Sequence, residues 1–326
     1  MGSSIENPVV AARAPAKPPR ISLKRIFRGL AAGLAFLYFG LCGFLWFDQT
    51  RFIFFPSGAE YLTPAPFHVP FQDVWIPVPL SPQENAATQE NSSPEKLHGW
   101  WLPDPSSNRV LLYLHGNGGN IASNLEHAVR LRNFGASVLI IDYRGYGRST
   151  NRFPSESRVY EDAEAAWQYL VREQKIEPRQ IVIYGHSLGA AIAIELASHH
   201  PEAGGLISES AFTSIEDMAK AERAYSYFPI HLLVHEKFAS LSKVPSIKIP
   251  ILFIHGASDK LVSFHMSEQL YAAASGVKQL VLIEGAGHED CATVGGEKYK
   301  SAVESFLKDI TAKKSARKNS LVRGDV

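Results

Sequence analysis

Hydrophobic and polar positions divide the chain into two regimes. From Gly29 to Phe47 no charged residue occurs, and beyond residue 50 short apolar runs alternate with amphipathic stretches. As a helix rising 1.5 Å per residue, the first run is about 28 Å long, close to the roughly 30 Å hydrocarbon layer of a bilayer. Aromatic residues gather at its far end (Phe44, Trp46, Phe47, Phe52, Phe54, Phe55), as in an interfacial belt. Six basic residues precede it, Arg13, Lys17, Arg20, Lys24, Arg25 and Arg28, whereas Arg51 stands alone in the 20 residues after Phe47. This asymmetry predicts an uncleaved, single-pass transmembrane signal anchor over 29–47. Its N-terminus lies in the cytoplasm and the bulk of the chain on the extracytoplasmic side, periplasm or lumen. The competing readings fit less well. The exit FLWFDQTRF has no A-x-A cleavage site, and bulky Leu41 precedes Cys42 where a lipoprotein signal needs a small residue. A buried core helix does not carry six basic residues on one flank.

Beyond the anchor the periodicity alternates. The runs VLLYLHG (110–116), SVLIID (137–142), IVIYG (181–185), GGLISES (204–210), PILFIHG (250–256) and QLVLIEG (279–285) predict buried strands. Helical patterns lie between them, after Ile121, over 157–174, over 188–199, near 265–275 and near 297–312. Alternation of this kind predicts an α/β fold: a mostly parallel sheet with helices on both faces. DVWIPVP (73–79) and LHGWWLP (97–103) have no helix between them and suit an antiparallel hairpin at the sheet edge. The expected organisation is a disordered basic N-terminus (1–28), the anchor (29–47), one catalytic domain (50–312) and a disordered basic tail (313–326). Residues 81–95 are polar and turn-rich, a surface loop that contains the glycosylation sequon Asn91-Ser92-Ser93.

Composition narrows the function classes. The 326 residues are 45% hydrophobic and 20% charged, enough for a sizeable core. A net charge of +1 gives no global attraction to nucleic acid. Two cysteines, Cys42 and Cys291, exclude a disulfide framework and a structural zinc pattern.

The sharpest chemical signal is Gly185-His186-Ser187-Leu188-Gly189, where a strand turns into a helix. A G-x-S-x-G serine in this setting stands proud of the sheet as a nucleophile, and the small residues Ala190, Ala191 and Ala193 let the helix pack close. A serine hydroxyl needs a base, and the base needs orienting. Asp259 (in HGASDKLV) and His288 (in EGAGHED) follow later strands in the order serine, acid, histidine. Glu209 is the rival acid; Glu289 and Asp290, adjacent to His288, are poorer ones. HGNGGN (115–120) ends a strand where an oxyanion-hole amide is expected, so Asn117 and Leu188 are assigned the two donors. It is not a phosphate cradle, because no Gly-Lys-Ser/Thr follows. In DYRGYGRS (142–149), Arg144 suits a structural ion pair, and the segment is a second candidate for the pocket mouth. His231 and His235 are spaced i, i+4, but Leu232 replaces the glutamate of H-E-x-x-H, so no metal is expected.

Taken in order, HGNGGN, DYRGYGRS, GHSLGA, HGASDKLV and GAGHED resemble the α/β-hydrolase superfamily. More narrowly they resemble its membrane-anchored, ABHD-like subgroup, whose bacterial members are often labelled serine aminopeptidase-like. RFIFFPS (51–57) and ESAFTS (209–214) also match that subgroup. The resemblance implies a Ser187, Asp259, His288 triad with Asn117 and Leu188 as oxyanion hole, and no cofactor. Residues 211–248 are expected to form a small lid of two short helices, with an apolar acyl pocket; core packing explains most of their aromatics equally well. Phe212, Tyr143 and Leu261 are the candidate substrate-lining residues. The expected function is hydrolysis of carboxylic esters or thioesters, on a small acyl substrate, a lipid or an acylated protein. A serine aminopeptidase or amidase, and a catalytically silent membrane scaffold, are the alternatives.

Overall fold

The computed structural model describes residues 22–58, 62–79 and 94–322, with residues 311–322 described by backbone alone. The expected N-terminal basic segment up to residue 21, most of the polar loop with its sequon, and residues 323–326 lie outside the described residues. The chain forms two compact units, Met1–Phe47 and Asp48–Val326. The first contains one helix, α1 (Leu23–Phe47), which begins earlier than the predicted 29 because basic Lys24, Arg25 and Arg28 continue the helix. By length and composition α1 is able to cross a membrane.

The second unit is built on an eight-stranded sheet. Its strands are β2 (Gln72–Pro77), β3 (Lys96–Leu102), β4 (Val110–Leu114), β6 (Ser137–Ile141), β7 (Ile181–His186), β8 (Gly205–Glu209), β9 (Ile251–Gly256) and β10 (Lys278–Ile283). Two short strands outside it, β1 (Phe55–Pro56) and β5 (Gly118–Gly119), pair in parallel. The order in the large sheet is β10-β9-β8-β7-β4-β6-β3-β2. β3 is antiparallel to both neighbours, β2 and β6, and the other pairs are parallel. Strands β4, β6, β7, β8 and β9 are buried along their whole length, because helices cover both faces; this is why their sequences read as continuous apolar runs. Edge strand β2 instead alternates exposed and buried positions.

One face is packed by the helices at Glu156–Gln168, Leu188–His199 and Phe264–Ala273, through Val159, Trp167, Ile192, Leu196 and Leu270. The other is packed by Leu125–Asn133 and the last helix, Cys291–Val322, through Leu125, Leu131, Tyr299, Val303 and Leu307. The chain goes from β4 to β6 on one side and then crosses back to β7 on the other side of β4, so the carboxyl ends of β4 and β7 flank a topological switch point. Ligand sites of open α/β sheets form there.

Three expectations on elements are corrected. The lid region carries three short α-helices rather than two, Ile215–Ala221, Ile230–Leu233 and Ser240–Lys243, with one 3-10 turn between the first two and another directly after the third. The helix of 188–199 matches its prediction, but that of 157–174 is α only to Gln168 and finishes as a π turn over Tyr169–Glu173. The last helix starts earlier than 297, is kinked at Gly296, and runs to Val322, into the segment expected to be a tail.

Candidate active site

Ser187 sits between β7 and the helix Leu188–His199, with φ 55° and ψ −120°. A positive φ is unfavourable for any residue with a Cβ and costs on the order of 1–3 kcal/mol. The turn persists because its ends are tied: the Ser187 amide donates to the Glu209 carbonyl at 2.9 Å, and the Ala190 amide to the Ser187 carbonyl at 2.9 Å. Both flanking glycines are steric necessities. A Cβ on Gly185 would stand 2.2 Å from the Gly189 carbonyl oxygen, and one on Gly189 would stand 2.0 Å from that of Leu114.

The structure brings Ser187, His288 and Asp259 into one hydrogen-bonded chain. His288 Nε2 is 2.9 Å from Ser187 Oγ, and His288 Nδ1 is 2.7 Å from Asp259 Oδ2. Read with Nδ1 protonated, the imidazole donates to the carboxylate and accepts from the serine hydroxyl. The loops bearing the two residues are bound to each other: the Ser258 amide donates to the Ala286 carbonyl at 2.8 Å and the Ala257 amide to that of Ile283 at 2.9 Å. Burial works against the charge of Asp259. It is outweighed by hydrogen bonds from His255, His288 and the Val262 amide, which hold the carboxyl well below the usual carboxylate range. The Leu261 amide, at 2.8 Å, adds a further donor. Asp259 therefore stays ionised further into acid than an ordinary aspartate. Its contribution to stability is present above the ordinary aspartate value, about 3.9, and is lost only as pH falls through the lower folded value.

The oxyanion-loop candidate Asn117 follows β4. Among the described residues, neither its amide nor that of Leu188 has a protein acceptor. The loop is held by the segment directly after α1. The Asn117 carbonyl accepts from the Phe55 amide (2.9 Å) and the Tyr146 hydroxyl (2.7 Å), and the Asn117 side chain donates to the Ile53 carbonyl at 3.0 Å. In the same segment, Gln49 accepts from the amides of His235 (3.0 Å) and Glu236 (2.7 Å) and donates to the Leu233 carbonyl at 3.0 Å. Residues 49–57 thus join the Asn117 loop to the lid. Sequence reasoning noted RFIFFPS but gave it no contact. A two-residue strand has no readable period, and Gln49 carries no motif.

The remaining candidates fall in three settings. Tyr143 is fully buried and its hydroxyl donates to the His115 carbonyl at 2.9 Å, beneath the loop rather than in a pocket wall. Phe212 is buried, and Leu261 is 61% exposed on the turn after Asp259. Glu209 is turned away from His288, and its Oε2 accepts from the hydroxyls of Tyr184 (2.7 Å) and Tyr299 (2.6 Å). Asp290 caps the Gly287 amide at 2.6 Å. Arg144 makes the anticipated ion pairs, with Asp162, Glu95 and Glu161 at 2.6, 2.7 and 2.6 Å. His231 and His235 do not share a helix face, because the helix of Ile230 ends at Leu233.

A serine on a strand–helix elbow at the switch point of this strand order, with aspartate and histidine on the loops of later strands, defines an α/β-hydrolase. The model of the family described as serine aminopeptidase, S33, matches residues 105–242 and 239–291. The chain belongs to this family, within the ABHD-like α/β-hydrolases. It is 34% identical to an uncharacterised Mycobacterium tuberculosis protein, Rv2307c, over 88% of this chain and 97% of that one. It is 30% identical to the α/β-hydrolase domain-containing protein WAV2 of Arabidopsis thaliana (82% and 89% covered) and 30% identical to protein bem46 of Schizosaccharomyces pombe (81% and 87%). Among solved structures, a Pyrococcus furiosus esterase, Pf2001, superimposes with a TM-score of 0.61 at 25% identity, covering 79% of this chain and 99% of that one.

Two predictions follow from this geometry. Ser187→Gly relieves the backbone strain that Ser187→Ala keeps, so the glycine variant should be the more stable by about 1 kcal/mol. Thermal unfolding of the two would differ by roughly 2–4 °C, and a lower midpoint for the glycine variant would refute stored strain. Removing residues 1–47 should leave a folded Asp48–Val326 unit, whereas Gln49→Ala in that unit should lower its stability by about 2 kcal/mol, since buried amides lose their acceptor. Urea unfolding checks this; an unchanged midpoint would mean that Gln49 does not hold the lid.

Proposed function

We propose that the protein is a membrane-anchored serine hydrolase that cleaves carboxylic esters or thioesters with an apolar acyl part. The observation that carries this reading is the unbroken chain from Asp259 through His288 to Ser187. Ser187 Oγ attacks the carbonyl carbon while His288 Nε2 takes its proton. The ionised Asp259 holds the imidazole in the required tautomer and stabilises the imidazolium. The tetrahedral oxyanion is received by the amides of Asn117 and Leu188. Its collapse breaks the bond to the alcohol or thiol, which leaves with the proton from His288. Water then attacks the acyl-serine, with His288 again as base, and frees the acid. Exposed Leu261 beside Asp259, and Tyr227 and Leu232 on the lid, support an apolar acyl part. Likeness to an archaeal esterase supports ester chemistry.

Helix α1 supports anchoring, and the six basic residues before its apolar run support a cytoplasmic N-terminus. A reporter fused after Val326 that requires an extracytoplasmic location should be active; activity only of a cytoplasm-requiring reporter would reverse the orientation.

The chemistry is tested by labelling with a fluorophosphonate probe and by a panel of p-nitrophenyl esters of increasing chain length, a thioester and an aminoacyl arylamide. Ser187→Ala should lose labelling and turnover. Preference for the arylamide would replace the esterase reading by an aminopeptidase one. Asp259→Asn should lower kcat on the order of 10⁴-fold, by analogy with serine proteases, while Glu209→Gln keeps most activity. Because Asp259 is held below the usual carboxylate range, it should add no proton of its own to the acid limb of kcat/KM. A two-proton limb would show that Asp259 titrates there.

A further inference from the structure

His186, the variable residue inside the nucleophile motif, has no part in the mechanism above. Its Nε2 is 2.9 Å from the His288 carbonyl oxygen, so Nε2 carries the proton and donates it there, and the lone pair lies on Nδ1. That Nδ1 faces Oε2 of Glu289 at 3.9 Å. On the other side of the same carboxylate, Oε1 is 4.0 Å from His288 Nε2, the second imidazole nitrogen left with a lone pair. One donor atom from each of His186, His288 and Glu289 lies within 4.8 Å of the other two.

We propose that these three side chains form an inhibitory site for a divalent cation of the zinc class. Two neutral imidazoles and one carboxylate, with a fourth position open, are a common zinc donor set, and imidazole disfavours magnesium and calcium. Both rings already have the supporting partner that metal-ligating histidines use on their other nitrogen. Asp259 receives the Nδ1 proton of His288, and the His288 carbonyl receives the Nε2 proton of His186. The rings are therefore oriented with the correct tautomers before any ion arrives. Glu289, 79% exposed, is free to swing in and shorten its own distances to both nitrogens toward the tetrahedral value, about 3.3 Å for bonds near 2.0 Å. An ion here takes the Nε2 lone pair that Ser187 needs for deprotonation, so binding and hydrolysis exclude each other. The inhibitory consequence rests on His288 as base; the binding itself does not.

The test uses the full-length, tag-free chain in detergent, with zinc chloride as the probe. Calorimetric titration of Ser187→Ala should show one zinc ion bound, and adding Glu289→Gln or His186→Asn should weaken it at least tenfold. In the wild type, zinc should suppress p-nitrophenyl ester hydrolysis with a matching midpoint, and EDTA should restore it. Glu289→Gln should keep the basal rate while its inhibition midpoint rises tenfold or more, and magnesium should not inhibit. Absence of stoichiometric binding, or equal zinc affinity in Glu289→Gln and its parent, overturns the site. If binding behaves as stated but no ester is turned over, the site stands and the hydrolase reading fails.

Discussion

The site depends on one close approach. Where the helix of Ser187 begins, its backbone passes so near the end of β4 that a Cβ on Gly189 would lie 2.0 Å from the Leu114 carbonyl oxygen and 2.5 Å from that of His115. No side chain fits between them. This contact sets Ser187 next to the Asn117 loop, since both leave adjacent strands paired in parallel register, Leu114 with Gly185. In the proposed mechanism the Ser187 hydroxyl and an amide of the Asn117 loop must meet one carbonyl group, and an error of an ångström in such a pairing is costly in rate. Here the distance is defined by strand spacing and a missing methyl group rather than by flexible side chains.

The same device recurs on the acid side. A Cβ on Gly256 would stand 2.2 Å from the Gly287 carbonyl oxygen, so the loops of Asp259 and His288 cross at a second glycine-permitted contact. The histidine loop is also secured to the serine side, since the His288 carbonyl accepts from His186 at 2.9 Å and from Ser210 at 3.3 Å. Ser187, Asp259 and His288 thus sit on backbones fastened to one another. The strained φ of Ser187 is affordable because the surrounding sheet leaves the turn no alternative.

Much of this was legible in the sequence, for physical reasons. Strands buried on both faces must be apolar throughout, so β4, β6, β7, β8 and β9 announce themselves as continuous runs. An elbow needs small residues at fixed offsets, so Gly185 and Gly189 mark Ser187. What was not legible depends on contacts between distant segments made by backbone or by ordinary side chains. Gln49 reaches residues 233–236, and Phe55 pairs with Gly118, with no local pattern to signal either contact. Tyr143 looked like a pocket residue because it follows a strand end, yet its side chain is spent on the His115 carbonyl. The lid broke into three helices because Pro229 forces a new start at Ile230 and the non-helical stretch 234–239, with Phe238 at a positive φ of 42°, separates the second helix from the third; Pro245 follows the third.

Glu209 shows how position in sequence and role in the fold can separate. By order along the chain it competes with Asp259 as the acid. In the structure its carboxylate is engaged by Tyr184 and Tyr299 on the face packed by the last helix, while its main-chain carbonyl accepts from the Ser187 amide. Burial favours the neutral form of nearby His127, moving its pKa down to about 4, so this histidine brings no charge to the cluster at neutral pH. A carboxylate in so buried a place persists only with donors fixed around it, and two tyrosine hydroxyls supply them. Those bonds orient the end of β8, whose carbonyl in turn holds the Ser187 turn closed. The residue that looks like a second acid is better explained as a fastener for the Ser187 turn, acting through its backbone while its side chain keeps that backbone still.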